Sequence, residues 1–550
     1  VERLLASGVI KGVGPATARR LVEAFGERVL DVIAQDPDRL ASVPGIGPHK
    51  ARAIAEQFQV HRAAQAALSF LYALGLGPGL ARRIYQRYGS RTVAALRSNP
   101  YELAFEVDGF GFRRADEVAA RFGVAPDSPR RIEAALWQAL QEAVEEGHAF
   151  LPRRALFERA RALLASGRGS DLDFAGEMLD AALQALAERG NVVIEGPEAV
   201  YHASLHRSEV ELARLLRRLV GQACQPWLPA RFDQELARAE QTLGTRLAPE
   251  QREAVRQALE SGVLVITGGP GTGKTTLVRF IVHLASQAGV RVALAAPTGR
   301  AAQRLQEAIS MGGRPVPPGV SPPRTIHRLL EVRPGAAGGG PRFARGPHHP
   351  LDADLVIVDE ASMLDLPLAC HLLSALRPGA RLVLVGDVDQ LPSVGPGQVL
   401  KDLIESGCVA VVRLTRIFRQ AARSRIVVGA HQILAGRSII APSRPPTTGA
   451  ASQTGADGRP ATGASTPLRS GSPGGRRALS EHDNLRVIEQ PDAQRAARTV
   501  QRLVAVTLPE LYGLDPMGDI QVLAATHRGP AGADALNALL QEALNPPAPG

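Results

Sequence analysis

The segment GGPGTGKTT, residues 268–276, constrains this chain more than any other. It follows Val263–Ile266, an apolar run in which only Leu264 is unbranched at Cβ, and it leads into a helical pattern. Gly268, Gly273, Lys274 and Thr275 satisfy G-x-x-x-x-G-K-[ST], the spacing of a loop that cradles phosphates. Backbone N–H groups along Gly268, Gly269, Pro270, Gly271, Thr272, Gly273, Lys274, Thr275 and Thr276 point inward, except at the proline, and the next helix adds its positive N-terminus. Lys274 would reach the β- and γ-phosphates of ATP, and the Thr275 hydroxyl would hold Mg²⁺. A glycine turn without a ligand is the competing reading; the strand before and the helix after argue against it. An α/β domain built on a nucleotide triphosphate site is the expectation.

The surrounding pattern agrees. Short apolar runs at 263–267, 292–296, 354–358, 381–385 and 409–413 read as buried parallel strands of a doubly wound sheet. The run LVIVDEAS ends in Asp359, suited to the Mg²⁺ shell, and Glu360, suited to take a proton from attacking water. Two acids at a strand end can also be a solvated edge. In LVLVGDVDQLPSVGPG, Gln390 can meet a γ-phosphate or be a polar turn residue. In LTRIFRQ, Arg419 can reach transition-state charge between two domains, and Phe418 can stack on adenine; surface and core roles are the alternatives.

Ahead of this domain lies a repeat. KGVGPATARRLVEAFG, PGIGPHKARAIAEQF, LGLGPGLARRIYQRYG and DGFGFRRADEVAARFG each open an amphipathic helix with G-x-G. The pairs are Gly12 and Gly14, Gly45 and Gly47, Gly75 and Gly77, Gly109 and Gly111, with the second glycines 33, 30 and 34 residues apart. Each unit reads as helix, glycine hairpin, helix, with the glycines permitting positive φ and the loop amides able to hold a DNA backbone phosphate. Such contacts position a protein without reading sequence. A purely structural or protein-binding array is the alternative.

At 550 residues, three or four domains are expected. Hydrophobic and charged fractions of 45% and 21% describe a soluble globular protein, and no apolar run reaches the roughly 18 residues of a membrane span. No signal peptide is read in these residues, but the chain begins at Val1, so an original N-terminus can lie upstream. Cys224, Cys370 and Cys408 are far apart and read as buried thiols in a reducing cytoplasm rather than a metal site. A net charge of +10 suits a polyanionic partner. Residues 130–205 read as helices followed by two strands around a Gly-Pro turn, a winged-helix-like module or a spacer. Residues 441–480, dominated by Pro, Gly, Ser and Thr, read as a disordered linker. The segment DIQVLAATHRGPAGADALNALLQEALN reads as strand, loop and helix of a second α/β domain.

Taken in order, GGPGTGKTT, APTGRAA, TIHRLLE, VDEASM, GDVDQLPSVGPG, FRQ and HRGPAGADALN resemble the RecD-like helicases of superfamily one, in the branch with an N-terminal helix-hairpin-helix array. The resemblance covers nearly the whole chain outside 441–480. It implies a multidomain protein: an all-α hairpin array over 1–125, a winged-helix-like module over 126–230, a RecA-like P-loop motor over 231–440, the linker, and part of a second RecA-like domain over 481–550. It implies an ATP-dependent motor moving 5′ to 3′ on single-stranded DNA, acting on DNA with a 5′ single-stranded tail, in repair or recombination. It also implies that Gln251 contacts adenine and that Thr298, Thr325 and His327 touch the DNA backbone. Residues 331–350, EVRPGAAGGGPRFARGPHHP, stand where the family carries a strand-separating pin, here unusually rich in glycine. The family's T-V-H-K-S-Q-G segment, terminal arginine motif and N-terminal β-domain are not in these 550 residues. A fragment that binds ATP but unwinds poorly is therefore the expectation. The rival expectations are a DNA-bound ATPase that remodels protein–DNA complexes and a DNA-binding fragment without turnover.

Overall fold

The computed structural model describes residues 13–107, 109–166, 174–222, 227, 229, 231–310, 316–333, 342–418, 424–439 and 484–546. It divides into two compact units, Val1–Ile266 with Thr275–Val412, and Thr267–Lys274 with Arg413–Gly550. Gly12, Cys224, Arg419 and the whole 441–480 segment lie outside the described residues.

The first unit opens on the hairpin array. Helices Pro15–Phe25, Pro48–Ala73, Pro78–Tyr88 and Phe112–Arg121 follow the N-caps Gly14, Gly47, Gly77 and Gly111. In the three pairs described in full, the expected positive φ belongs only to the first glycine: Gly45, Gly75 and Gly109 stand at +86°, +79° and +82°. The second glycine caps the helix in extended backbone, as Gly47 does at φ −81°. The left-handed glycine reverses the chain two residues before the extended cap from which the helix starts.

The array is two pairs rather than four equal repeats. The Arg20 guanidinium donates to the Pro44 carbonyl and packs over Gly45, joining hairpins one and two. Arg83 packs likewise over Gly109, and Arg121 donates to the Ala73 carbonyl at 3.1 Å, joining hairpins three and four. The first pair has its own core, including Leu21, Ile33, Leu40 and Ile54. The second pair shares one core, from Leu71 to Val200, with the module that follows.

That module has helices Pro129–Glu145, Arg153–Ala165 and Gly176–Glu188 and strands β1 (Phe150–Pro152), β2 (Val192–Glu195) and β3 (Ala199–His202). The strands pair antiparallel in the order β1-β3-β2, with Leu151 opposite Val200 and Ile194 also opposite Val200. This is a winged-helix arrangement. Arg131, fully buried, donates to both carboxylate oxygens of Asp116 and so fastens the fourth hairpin helix to it.

The sheet that follows has strands β4 (Val263–Gly268), β5 (Val292–Ala296), β6 (Arg324–Thr325), β9 (Leu355–Val358), β10 (Arg381–Gly386) and β11 (Ala410–Leu414), in the order β11-β4-β10-β9-β5-β6. Strands β6, β5, β9 and β10 run parallel. β5, β9 and β10 are buried along their whole length, which explains why they read as unbroken apolar runs. Between β6 and β9, β7 (Val332–Arg333) and β8 (Arg342–Phe343) pair antiparallel, and Arg345 bridges to Glu331 at 2.7 Å. These two strands frame the segment where a pin is expected; residues 334–341 between them lie outside the described residues.

In the second unit, described residues 484–546 hold helices Ala493–Arg502, Leu508–Tyr512 and Ala533–Leu544. The strand expected in DIQVLAA does not form, and Leu523 is 87% exposed. A strand needs a neighbour to satisfy its backbone, and none of the described residues here supplies one. The expectation of buried thiols is corrected at Cys408, which is exposed, whereas Cys370 is half-buried and its pKa is raised by burial. No described helix is long and apolar enough to cross a membrane.

Candidate functional site

The phosphate loop closes on its own lysine. Lys274 Nζ donates to the Gly268 carbonyl at 2.6 Å and the Gly269 carbonyl at 3.1 Å, and Thr272 Oγ1 donates to the Gly269 carbonyl at 2.9 Å. The ammonium is thus held over the mouth of the loop. Gly268 has no room for a Cβ, which would lie 2.8 Å from the Leu414 carbonyl oxygen and 2.9 Å from Thr272 Oγ1. Gly271 and Gly273 stand at φ +78° and +81°, so both need glycine. The Phe418 N–H donates to the Gly271 carbonyl at 3.2 Å, seating its backbone on the loop. Thr275 and Thr276 fall in the first turn of the helix Lys274–Gln287.

Asp359 and Glu360 leave the end of β9. Asp359 is buried, its N–H donates to the Ala295 carbonyl, and its Oδ1 accepts from the Glu360 N–H at 3.0 Å. Glu360 sits in left-handed backbone, φ 54° and ψ 40°, a conformation costly for a residue with a Cβ. The chain turns there so that Ala361 and Ser362 lie against the end of β10. A Cβ on Gly386 would stand 3.0 Å from the Ser362 nitrogen and 3.2 Å from the Ala361 nitrogen. The acid pair and GDVDQ are therefore packed backbone to backbone, and since β9 and β10 run parallel both open on one edge of the sheet. Beyond Gly386, buried Asp387 organises the turn, accepting from the Asp389 N–H at 3.2 Å and from Gln390 Nε2 at 3.4 Å, and Gln390 is exposed.

Other residues singled out in the sequence have structural posts. Gln251 is buried, and its Oε1 accepts from the Ala248 N–H at 3.1 Å, reaching back to the start of helix Pro249–Glu260. Thr298 caps helix Gly299–Ile309 through the Ala301 N–H, and Thr325 caps Ile326–Leu329 through the Arg328 N–H, both at 3.2 Å. The exposed ring of His327 lies 5.9 Å from Phe343 of β8, which in turn lies 4.8 Å from the ring of His371.

Sequence reasoning missed His431. Its Cε1 would stand 2.8 Å from a Cβ on Gly269, and its Nε2 is buried with no hydrogen-bond partner among the described residues. A histidine on an amphipathic helix carries no signal of such a position. It also missed Ser393, whose hydroxyl donates to the Gly395 and Gly397 carbonyls, while the Gly397 N–H donates to the Gly147 carbonyl at 3.0 Å. The segment after Gln390 is thereby tied to the winged-helix module.

Three family descriptions match in turn: a SAM-like helix-hairpin-helix tandem over residues 2–59, the ATP-dependent RecD2 DNA helicase HHH domain over 60–150, and an AAA domain over 251–396. The ATP-dependent RecD2 DNA helicase of Deinococcus radiodurans is 33% identical over 548 residues, 98% of this chain. The chain belongs to the RecD-like helicase family. It spans 66% of the length of that relative. The RecBCD enzyme subunit RecD of Mycobacterium tuberculosis is 44% identical over 33% of this chain and 33% of its own length. A solved structure of Pif1 helicases at forked double-stranded DNA covers 33% of this chain and 48% of its own, at 20% identity and a TM-score of 0.21. The boundary between the two hairpin families, at residues 59 and 60, falls inside helix Pro48–Ala73, which links the two hairpin pairs of this RecD-like chain.

Proposed function

We propose that this chain is the ATP-hydrolysing motor of a DNA helicase that moves 5′ to 3′ on single-stranded DNA and separates strands, in DNA repair or recombination. The observation that carries the reading is the phosphate loop closed by Lys274, in a chain 33% identical over 98% of its length to a RecD2 helicase. In this reading residues 1–125 form the DNA-binding array, 126–230 the winged-helix-like module, 231–440 the motor with a pin near 331–350, and 481–550 the start of a second RecA-like domain.

The residues present fit ATP and Mg²⁺. A loop with no space for a Cβ at Gly268 and an ammonium poised over it is shaped for phosphate oxygens. Bound there, ATP supplies the transferable phosphoryl group and Mg²⁺ neutralises its charge. Among the described residues no cluster of three His, Cys, Asp or Glu could hold a metal, and the site asks for less: one hydroxyl, Thr275, and one carboxylate, Asp359. Lys274, now held by the Gly268 and Gly269 carbonyls, would hold the β- and γ-phosphates. Glu360, half-buried at the end of β9 in left-handed backbone, would take the proton from the attacking water. Gln390 would hold the γ-phosphate through its amide, Arg419 would add positive charge, and Gln251 would contact adenine. Thr298, Thr325, His327 and the hairpin glycines contact the DNA backbone.

The test is ATP hydrolysis with and without single-stranded DNA, followed by strand displacement on duplexes tailed at 5′ or at 3′. Stimulation by DNA and displacement only of the 5′-tailed duplex are expected. Displacement favouring a 3′ tail would sink the polarity. Stimulated hydrolysis without displacement of either duplex would favour an ATPase that remodels protein–DNA complexes.

A further inference from the structure

The four hairpins do not present the same surface. In the first three the second glycine precedes proline, Pro15, Pro48 or Pro78, at the first helical position. Proline has no N–H there, so the helix offers its amides from the next residue onward. The fourth hairpin reads GFGFRRADE, with Phe112 in the proline's place. Its N–H is an additional donor facing the loop.

That donor is taken. Gln138 Oε1 accepts from the Phe112 N–H at 3.0 Å. The space is taken as well: a Cβ on Gly111 would lie 3.1 Å from Gln138 Oε1, whereas one on Gly14, Gly47 or Gly77 would meet nothing within 4 Å. Gln138 is braced from behind, its Nε2 donating at 3.1 Å to Glu142 one turn along helix Pro129–Glu145. A phosphate approaching this hairpin therefore meets a carbonyl oxygen backed by a carboxylate. Of the three nearby cations, Arg83 is packed over Gly109, Arg114 already donates to the Gly109 carbonyl at 2.8 Å, and Arg113 is exposed. The same hairpin helix is bolted to the winged-helix module through Asp116 and Arg131.

We propose that Gln138 closes the fourth hairpin to DNA, so that the array grips the phosphate backbone through its first three hairpins and uses the fourth as a structural joint. The proposal rests on the reading of the array as a DNA-binding surface. It removes Gly109 and Gly111 from the expected DNA contacts and makes the second hairpin pair one-sided.

The experiment is binding of a fluorescent 5′-tailed duplex by the whole chain, without nucleotide, across a range of salt concentrations. Each phosphate contact contributes about 0.9 to the slope of log affinity against log salt on duplex DNA. Gly79→Glu, which places a carboxylate on the third hairpin where a Cβ meets nothing within 4 Å, is expected to lower that slope by about one contact. Arg113→Gln, at the matching position of the fourth hairpin, leaves it unchanged. Gln138→Ala with Glu142→Ala opens the hairpin, tightens binding and raises the slope by about 0.9. Gln138→Glu keeps an acceptor for Phe112 and stays closed, which separates opening from a folding defect. A slope loss in Arg113→Gln equal to that in Gly79→Glu, or an opened variant that binds no tighter, overturns the proposal. A parent chain that fails to bind DNA at any salt overturns the DNA-binding reading and this proposal with it.

Discussion

Replacing Arg131 with methionine is expected to destabilise the joint between the second hairpin pair and the winged-helix module more than any surface change. The guanidinium is fully buried, and the Asp116 side chain is 8% exposed. Arg131 donates to Asp116 at 2.8 and 3.2 Å, to the Pro126 carbonyl at 2.9 Å and to the Leu164 carbonyl at 3.1 Å. Tyr101 Oη also donates to Asp116, at 2.7 Å. Methionine fills much of the same volume but leaves a buried carboxylate without its counter-charge, a change that costs about 3–5 kcal/mol. For a cooperative core of this size that is roughly 10–20 °C in the melting transition. Scanning calorimetry of the whole chain reads it, since the residues on both sides of the joint belong to one core, from Leu71 to Val200. Adding Asp116→Asn to Arg131→Met removes the stranded charge and is expected to recover part of the loss. A shift of less than about 2 °C in Arg131→Met, or no recovery in the double variant, would mean that the ion pair is not what holds the joint.

The remaining predictions concern chemistry and pH. Lys274→Ala is expected to abolish ATP hydrolysis, while Glu360→Gln retains nucleotide binding and loses turnover; hydrolysis near the parent rate in Glu360→Gln removes Glu360 from the general-base role. The pKa of His202 is lowered, first by burial and then by Arg207, so the folded state favours the neutral ring. Its unfolded pKa is the higher of the two, so this stability is present above about pH 6.5 and is lost as pH falls through that value toward the depressed folded pKa. His202 also accepts from the Ser204 N–H, so His202→Asn keeps a cap without the titration. Melting curves between pH 7.5 and pH 5.5 are expected to shift less in His202→Asn than in the parent; equal shifts assign the loss elsewhere.

The parallel-sheet half of the fold was legible because its chemistry leaves few choices. A buried parallel strand must be apolar along its length, and a phosphate loop must carry glycine where backbone approaches backbone. Gly268 and Gly386 both meet that demand: one lies against Leu414 and Thr272, the other against Ala361 and Ser362. Only the first announces itself in a motif, because the contact of Gly386 comes from a segment 25 residues earlier. The three-residue strand β1 offered too short a run to show a period, and its hydrogen bonds come from β3, nearly 50 residues on. In DIQVLAA the error ran the other way: local β-propensity was read as a strand, although a strand exists only with a partner.

The hairpin array shows the same division between local and distant causes. The pairing of hairpins was present in the sequence, since GPATARR and GPGLARR match at Gly14 and Gly77, 63 residues apart, and place Arg20 and Arg83 alike. Those arginines then make equivalent contacts, over Gly45 and Gly109. The substitution of Phe112 for the proline of the other three hairpins was visible too, as an extra amide that had to find an acceptor. What supplies it, Gln138, is 26 residues downstream on a helix whose own periodicity gives that glutamine no distinction. The sequence therefore exposes the unmet donor but not its partner. Equivalence in motif is not equivalence in surface: a repeat binds alike only where its neighbours leave it open, and at Gly111 they do not.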